Sequence, residues 1–332
     1  MKTKLFFFLT LGILASNVQA KIWRVNSNTN FNADFPSLQL AINTATAGDT
    51  LYIEGSSIDY SESNSYIDIT KKLVLIGPGY FLADNDSTQF SKMGANIVSG
   101  INIYPAASGT ILEGLKITDI QIGANNITLQ RNNISNIWLG TYFSVAKGYG
   151  INLSIANPTI KQNYIRATVY DIATITNGLV SNNIVLGMIE LTITSSNYII
   201  ENNIVMGGMV IIPQNPKSSI FAYYSLIQNN ICKYDILSTS TFNIVSNNFK
   251  NLQDTIDAEF IGGSIPDKKF MLAKTSVAKG AADNGLDCGP FAGADAYVLS
   301  GLPPIPHIWF IQAPITGTST GLPVKIKVKT QN

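Results

Sequence analysis

Apolar and polar positions in this chain alternate in short bursts that recur with the same punctuation. The segments Leu129 to Ile134, Ile160 to Tyr164, Leu179 to Ile184, Ile199 to Ile204, Leu226 to Ile231 and Ile244 to Phe249 run from apolar residues through a polar, Asn-containing step to an apolar or aromatic residue. With the last Asn of each as the marker, the copies fall at Asn133, Asn163, Asn183, Asn203, Asn230 and Asn248, spaced 30, 20, 20, 27 and 18 residues apart. A unit of about twenty residues with two or three short apolar runs cannot bury its own apolar side, so it must stack on copies of itself. The pattern predicts an all-β right-handed parallel β-helix whose coils pair at about 4.8 Å. Asn tolerates the left-handed backbone of a sharp corner, and its amide can bond to the equivalent amide one coil away. The six markers are therefore expected to form an internal ladder, with Asn132, Gln162, Asn182, Asn202, Asn229 and Asn247 beside it.

The flanks extend this solenoid. Lys72 to Ile76, Ala95 to Val98 and Ile111 to Ile117 are strand-like runs bounded by Gly or Pro. Before them, Asp34 to Ala45 carries Pro36 early and Leu38, Ala41, Ile42 and Ala45 on one helical face, as expected of a helix that covers the first coil. Another apolar run, Leu5 to Leu14, follows Lys2 and Lys4 and precedes Ser16 to Ala20, the order of a secretory signal peptide. The expected organisation is a signal peptide at 1–20, a cap at 21–50, the β-helix at 51–275, and a closing strand with a Pro-rich strap at 276–332. Phe270 to Leu272 reads as the closing strand. Pro323 to Lys329 alternates apolar residues with Lys, as an edge strand would, and the tail is expected to lie along or over the C-terminal coil, with a small attachment or sorting module as the other reading.

A cap running into Ala47-Gly48-Asp49-Thr50-Leu51-Tyr52-Ile53, followed by coils with an Asn ladder, resembles the pectin-lyase-like superfamily. More narrowly, Leu75 to Leu82, Asp287 to Gly293 and Leu299 to Pro306 resemble a group of secreted bacterial β-helix proteins. The resemblance covers nearly the whole mature chain. It implies the fold more strongly than any activity, because one scaffold hosts many.

Composition narrows the functional classes. With 22 basic and 21 acidic residues and the lysines scattered, the chain lacks the electrostatic footprint of a nucleic-acid binder, and an anionic-membrane partner is not expected either. No stretch reaches the roughly 20 apolar residues of a membrane helix, so membrane insertion is not expected. Cys232 and Cys288 leave both a disulfide and two buried thiols open. One histidine, His307, and no CxxC spacing argue against a metal site, and no cofactor is implied.

The resemblance also says which chemistries to look for. Polygalacturonase-like hydrolases carry clustered aspartates and a His motif, and this chain has no Asp-Asp pair. Calcium-dependent lyases need acidic ligands that converge, whereas Asp171, Glu190, Glu201 and Asp235 fall at different phases of the repeat. What remains is elimination by cations, in which a Lys or Arg removes the proton beside a uronate carboxylate. Arg131, Lys161 and Arg166 are the candidates, with Arg131 and Lys161 as neighbours on adjacent coils; an ordinary solvated face is the other reading. The two long intervals hold Trp138, Tyr142, Phe143 and Tyr149, then Pro213, Pro216, Phe221, Tyr223 and Tyr224. These aromatics either stack on sugar rings or pin their loops to the sheet below. Two functions stay open: a secreted protein binding or scaffolding extracellular polysaccharide or the cell surface, and a polysaccharide lyase. The oligomeric state is not legible.

Overall fold

The computed structural model describes residues 20–63, 66–144, 147–191, 197–209, 217–237, 242–317 and 321–330. The expected signal peptide, apart from Ala20, lies outside these residues, as do Pro213 and Pro216. The chain is a parallel β-helix. One ten-stranded sheet runs from Ile22–Val25 through Thr50–Ile53 to Ile244–Ser246, every neighbour parallel and in register. The long strands Lys116–Ile122 and Asn133–Leu139 each serve two further stacks, here termed the second and third sheets. Residues 116–117 and 133–134 pair into the stack of Tyr164–Ile165, Ile184–Val185, Ile204–Val205 and Ile231–Cys232. Residues 120–122 and 137–139 pair into the stack of Val169–Asp171 and Ile189–Leu191.

Alternation along each strand builds the core. Leu51, Leu75, Leu112, Leu129, Ile160, Val180, Ile200 and Ile227 form one fully buried column of the first sheet, and Ile97 to Val205 form its counterpart in the second. Helix α1 (Leu38–Thr44) closes the N-terminal end. Ser37 caps it by accepting from Leu40 N–H, and Leu38, Ala41 and Ile42 are buried against the first coils.

The corner between the first and second sheets holds the Asn ladder, with one correction. Asn132, not Asn133, is its first rung. Asn132 donates to Asn163 Oδ1, Asn163 to Asn183, Asn183 to Asn203, Asn203 to Asn230 and Asn230 to Asn248, each through backbone N–H and Nδ2. The left-handed corner is the residue before each rung: Arg131, Gln162, Asn182, Asn202, Asn229 and Asn247, with φ between 51° and 57°. Arg131 thus takes the corner phase in the first of these coils and shifts its motif by one. A second left-handed column, Asn126, Asn157, Asn177 and Asn197, turns the chain into the first sheet. Its rungs include Asn157 Nδ2 to Asn126 Oδ1 at 2.8 Å and Asn197 Nδ2 to Asn177 Oδ1 at 3.3 Å.

The parallel pairing of the solenoid begins at Ile22 and ends with the bridge of Ile231 to Phe249, a span displaced from the expected 51–275. Lys268–Phe270 is a 3₁₀ turn and Leu272 bridges Phe260, so Phe270 to Leu272 adds no strand to the stack. The C-terminal segment also departs from expectation. Rather than covering the last coil, it runs back along the outer face of the second sheet. Ile184, Ile204 and Ile231 point outward there and are buried against Ile256, Phe260, Phe270, Cys288 and Tyr297. The corner residues hold this strap. Asn247 donates to Asp283 Oδ1, Asn229 O accepts from Gly289 N–H, Asn182 donates to Pro290 O and Ala292 O, and Gln162 donates to Asp295 O and Ala296 O.

The strap ends in a buried latch. The Tyr80 and Tyr297 hydroxyls are 2.7 Å apart, and Asp267, fully buried, accepts from Asn85 Nδ2 and Ser300 N–H. Ser300 (φ 63°) and Gly301 (φ 55°) sit against Gly79 and Tyr80. A Cβ on Gly301 would lie 2.3 Å from the Tyr80 ring and 2.4 Å from Arg131 O. The segments Leu75–Leu82 and Leu299–Pro306, far apart in sequence, therefore meet here. Both cysteines are free: Cys232 faces the solenoid core, while Cys288 lies in the outer cluster. Burial pushes both thiols up, Cys288 to about 11.

Candidate functional site

The outward positions of the second sheet form one column across seven coils: Asn96, Lys116, Asn133, Tyr164, Ile184, Ile204 and Ile231. The strap covers the last four. The first three stay at the floor of an open groove of about 260 Å³, walled by Tyr80 to Asp84, Lys92 and Gly94. A recess of about 200 Å³ adjoins it, shares Asn96 and Lys116, and adds Asp59, Val98, Thr118 and Arg166.

Strand spacing sets Asn96, Lys116 and Asn133 about 4.8 Å apart at the backbone. Lys116 is exposed, and no carboxylate of the described residues lies within 4 Å of its ammonium. Asn133 is 1% exposed and its Oδ1 has no partner, leaving a buried acceptor at the groove floor. Lys92 Nζ donates to Thr88 Oγ1 at 2.7 Å. Arg166 donates through Nη2 to Ile117 O at 2.9 Å, which fixes its guanidinium beside the groove. Partial burial lowers the Arg166 pKa, and Asp119 opposes that shift. The lining of groove and recess carries Lys92, Lys116 and Arg166 against Asp59 and Asp84, so it is polar, with one positive charge in excess.

The other two cations proposed for elimination sit elsewhere. Arg131 is buried at the strap boundary, donating to Gln162 Oε1 at 3.0 Å and to Leu302 O at 3.1 Å, with Glu113 3.8 Å away. Burial lowers its pKa and raises that of Glu113. Lys161 pairs with Asp295 of the strap at 2.9 Å and is in register with Gln130, not Arg131. The expected Arg131–Lys161 pair on adjacent coils is therefore replaced by two separate strap anchors.

The aromatic candidates are largely held by packing. Tyr142 lies 4.6 Å from Tyr104 and Phe143 stacks 5.3 Å from Tyr66, on a hairpin of Thr141–Ser144 and Tyr149–Asn152. Trp138 stacks on Tyr170 at 4.5 Å, Phe221 is buried, and Tyr224 stacks on Phe242. Tyr223 is half-buried, and Tyr149 is exposed without a ring partner.

Sequence reasoning missed Lys116 and Asn96. Neither sits in the Asn-Asn motif, and only register brings them beside Asn133. Among the described residues, no three His, Cys, Asp or Glu side chains gather to hold a metal ion. No family model matches this chain and no curated protein matches it. Among solved structures, a rhamnogalacturonan lyase is similar at a TM-score of 0.33 and 12% identity, over 77% of this chain and 97% of that one. The strand pairing described above carries the fold assignment by itself.

Proposed function

We propose that this chain is a secreted β-helix of the pectin-lyase-like superfamily that binds an acidic polysaccharide at the cell exterior, in the groove over Asn96, Lys116 and Asn133. One observation carries the reading: an exposed lysine without an anionic partner stands on a groove floor that the chain's own strap leaves uncovered. A carboxylate sugar meets that need, its acid group on Lys116. Arg166 and Lys92 supply further positive charge along the chain direction of a bound polymer. The reading predicts saturable, salt-sensitive binding of oligogalacturonate or a related uronate oligomer, followed by calorimetry. Lys116→Ala is expected to weaken binding at least tenfold, corresponding to the loss of about one charge-assisted hydrogen bond, while Lys161→Ala leaves it unchanged. Absence of binding across a panel of acidic oligomers sinks the proposal.

A second reading rests on Lys116 and Arg166 lining one recess. Lining one recess, they supply a proton acceptor and a stabilising positive charge, the two parts of a uronate elimination by cations. An ultraviolet-absorbing unsaturated product, lost in Lys116→Ala and Arg166→Ala, would make the protein a lyase; binding without product keeps it a binding protein.

A further inference from the structure

The end of the chain forms a hairpin of His307–Gln312 and Lys325–Lys329 whose strands, among the described residues, pair with each other and join no sheet of the solenoid. An isolated two-stranded ribbon is marginal in water, so its composition has to be explained. Register sorts the residues. Ile308 opposite Val328 and Ile311 opposite Ile326 make an aliphatic face, while Phe310 opposite Lys327 and Gln312 opposite Lys325 make the other. Val328 is 57% exposed, Ile326 53% and Ile308 40%, and beyond the strands Ile315, Leu322 and Val324 are exposed as well. Phe90, whose N–H donates to Ile308 O, is 52% exposed and adds to the same region. Apolar surface of this extent on one projecting element marks a contact site.

Charge identifies the occupant. From Ala296 to Asn332 the chain carries no Asp or Glu, yet Lys325, Lys327 and Lys329 lie in five residues. Lys327 Nζ is 5.0 Å from the Trp309 ring and 5.2 Å from Phe310. Aliphatic side chains on one face, aromatic rings at the flank and lysines with long apolar stems match the boundary between acyl chains and anionic headgroups. We propose that this hairpin is a docking site for a lipid surface with anionic headgroups. The aliphatic face enters the headgroup boundary, and the lysines reach around the narrow ribbon to the phosphates. The site is independent of the groove.

Co-sedimentation of the full chain with vesicles of phosphatidylcholine, and of equimolar phosphatidylcholine and phosphatidylglycerol, tests it. The expected result is binding to the anionic vesicles only, weakened roughly a hundredfold when Lys325, Lys327 and Lys329 are all replaced by Gln. The double variant Ile326→Ser, Val328→Ser is expected to lose binding as well. Both variants should keep the melting temperature, since the hairpin lies outside the solenoid. Three results each overturn the proposal: no preference for the anionic vesicles, binding that survives loss of the lysines, or a dimer in solution that Val328→Ser dissociates, which would make a second copy the occupant.

Discussion

Two halves of one sheet face have opposite fates in this molecule. Over the last coils, the outward positions Ile184, Ile204 and Ile231 are apolar and sealed by the strap. Over the first, Asn96, Lys116 and Asn133 occupy the same column and remain in an open groove. The backbone is equivalent in both halves, so the side chains alone decide whether the sheet must be covered. Apolar columns recruit the chain's own C-terminus, whereas a polar column stays free for something else. The boundary falls at Arg131, whose guanidinium holds Leu302 O where the strap turns away.

The ladder behind both halves gives the largest expected effect. Asn183→Ala leaves the N–H and Nδ2 of Asn163 without their acceptor and removes the Nδ2 donor to Ile160 O and Asn203 Oδ1, the latter keeping only the backbone N–H of residue 183, at a cost of about 4 kcal/mol of stability in chemical denaturation. A loss under about 1 kcal/mol would mean the ladder is incidental. Ile204→Ala empties a contact between sheet and strap and is expected to cost about 3 kcal/mol. Limited proteolysis should then cleave within 283–302 before it cuts the coils.

The reverse change sharpens the contrast. Asn133→Ile removes an unpaired buried oxygen and should raise stability by about 1 kcal/mol. If it destabilises instead, the amide has a partner role in the fold. A pH limb belongs to neither half. Against the upward push of burial, Asp49 accepts from Lys21 N–H, the Trp23 indole and Thr46 N–H, and these hold its pKa at about 2. A carboxylate depressed on folding adds stability that is complete above the ordinary Asp range and lost as pH falls through about 2. Thermal unfolding between pH 6 and pH 2 should show this loss, and Asp49→Asn should flatten it.

The repeat was legible because an inward apolar position and a corner Asn must recur in every coil of a solenoid. Asn163, Asn183, Asn203, Asn230 and Asn248 could be read directly. The capping helix was legible for the same reason, since Leu38, Ala41 and Ile42 carry helical periodicity. A covered outer face was also written in Ile184-Val185, Ile204-Val205 and Ile231-Cys232, where two apolar neighbours break the alternation of a one-sided strand. What covers that face was not, because the strap is irregular and its contacts are backbone carbonyls meeting corner amides, which leave no periodic trace.

Tertiary structure alone decided the register of the first motif. Gln130-Arg131-Asn132-Asn133 fits the repeat in two ways, and only pairing with Lys161 and Asn163 selects Asn132 as the rung. That one-residue shift turned Asn133 outward into the groove and Arg131 into the strap. It also brought Lys116, from a coil without the motif, beside Asn133. Local sequence determined which residues build a coil, through patterns that every coil repeats; which outward residues share a surface depended on stacking, because insertions of unequal length separate neighbours that the sheet places a single strand apart.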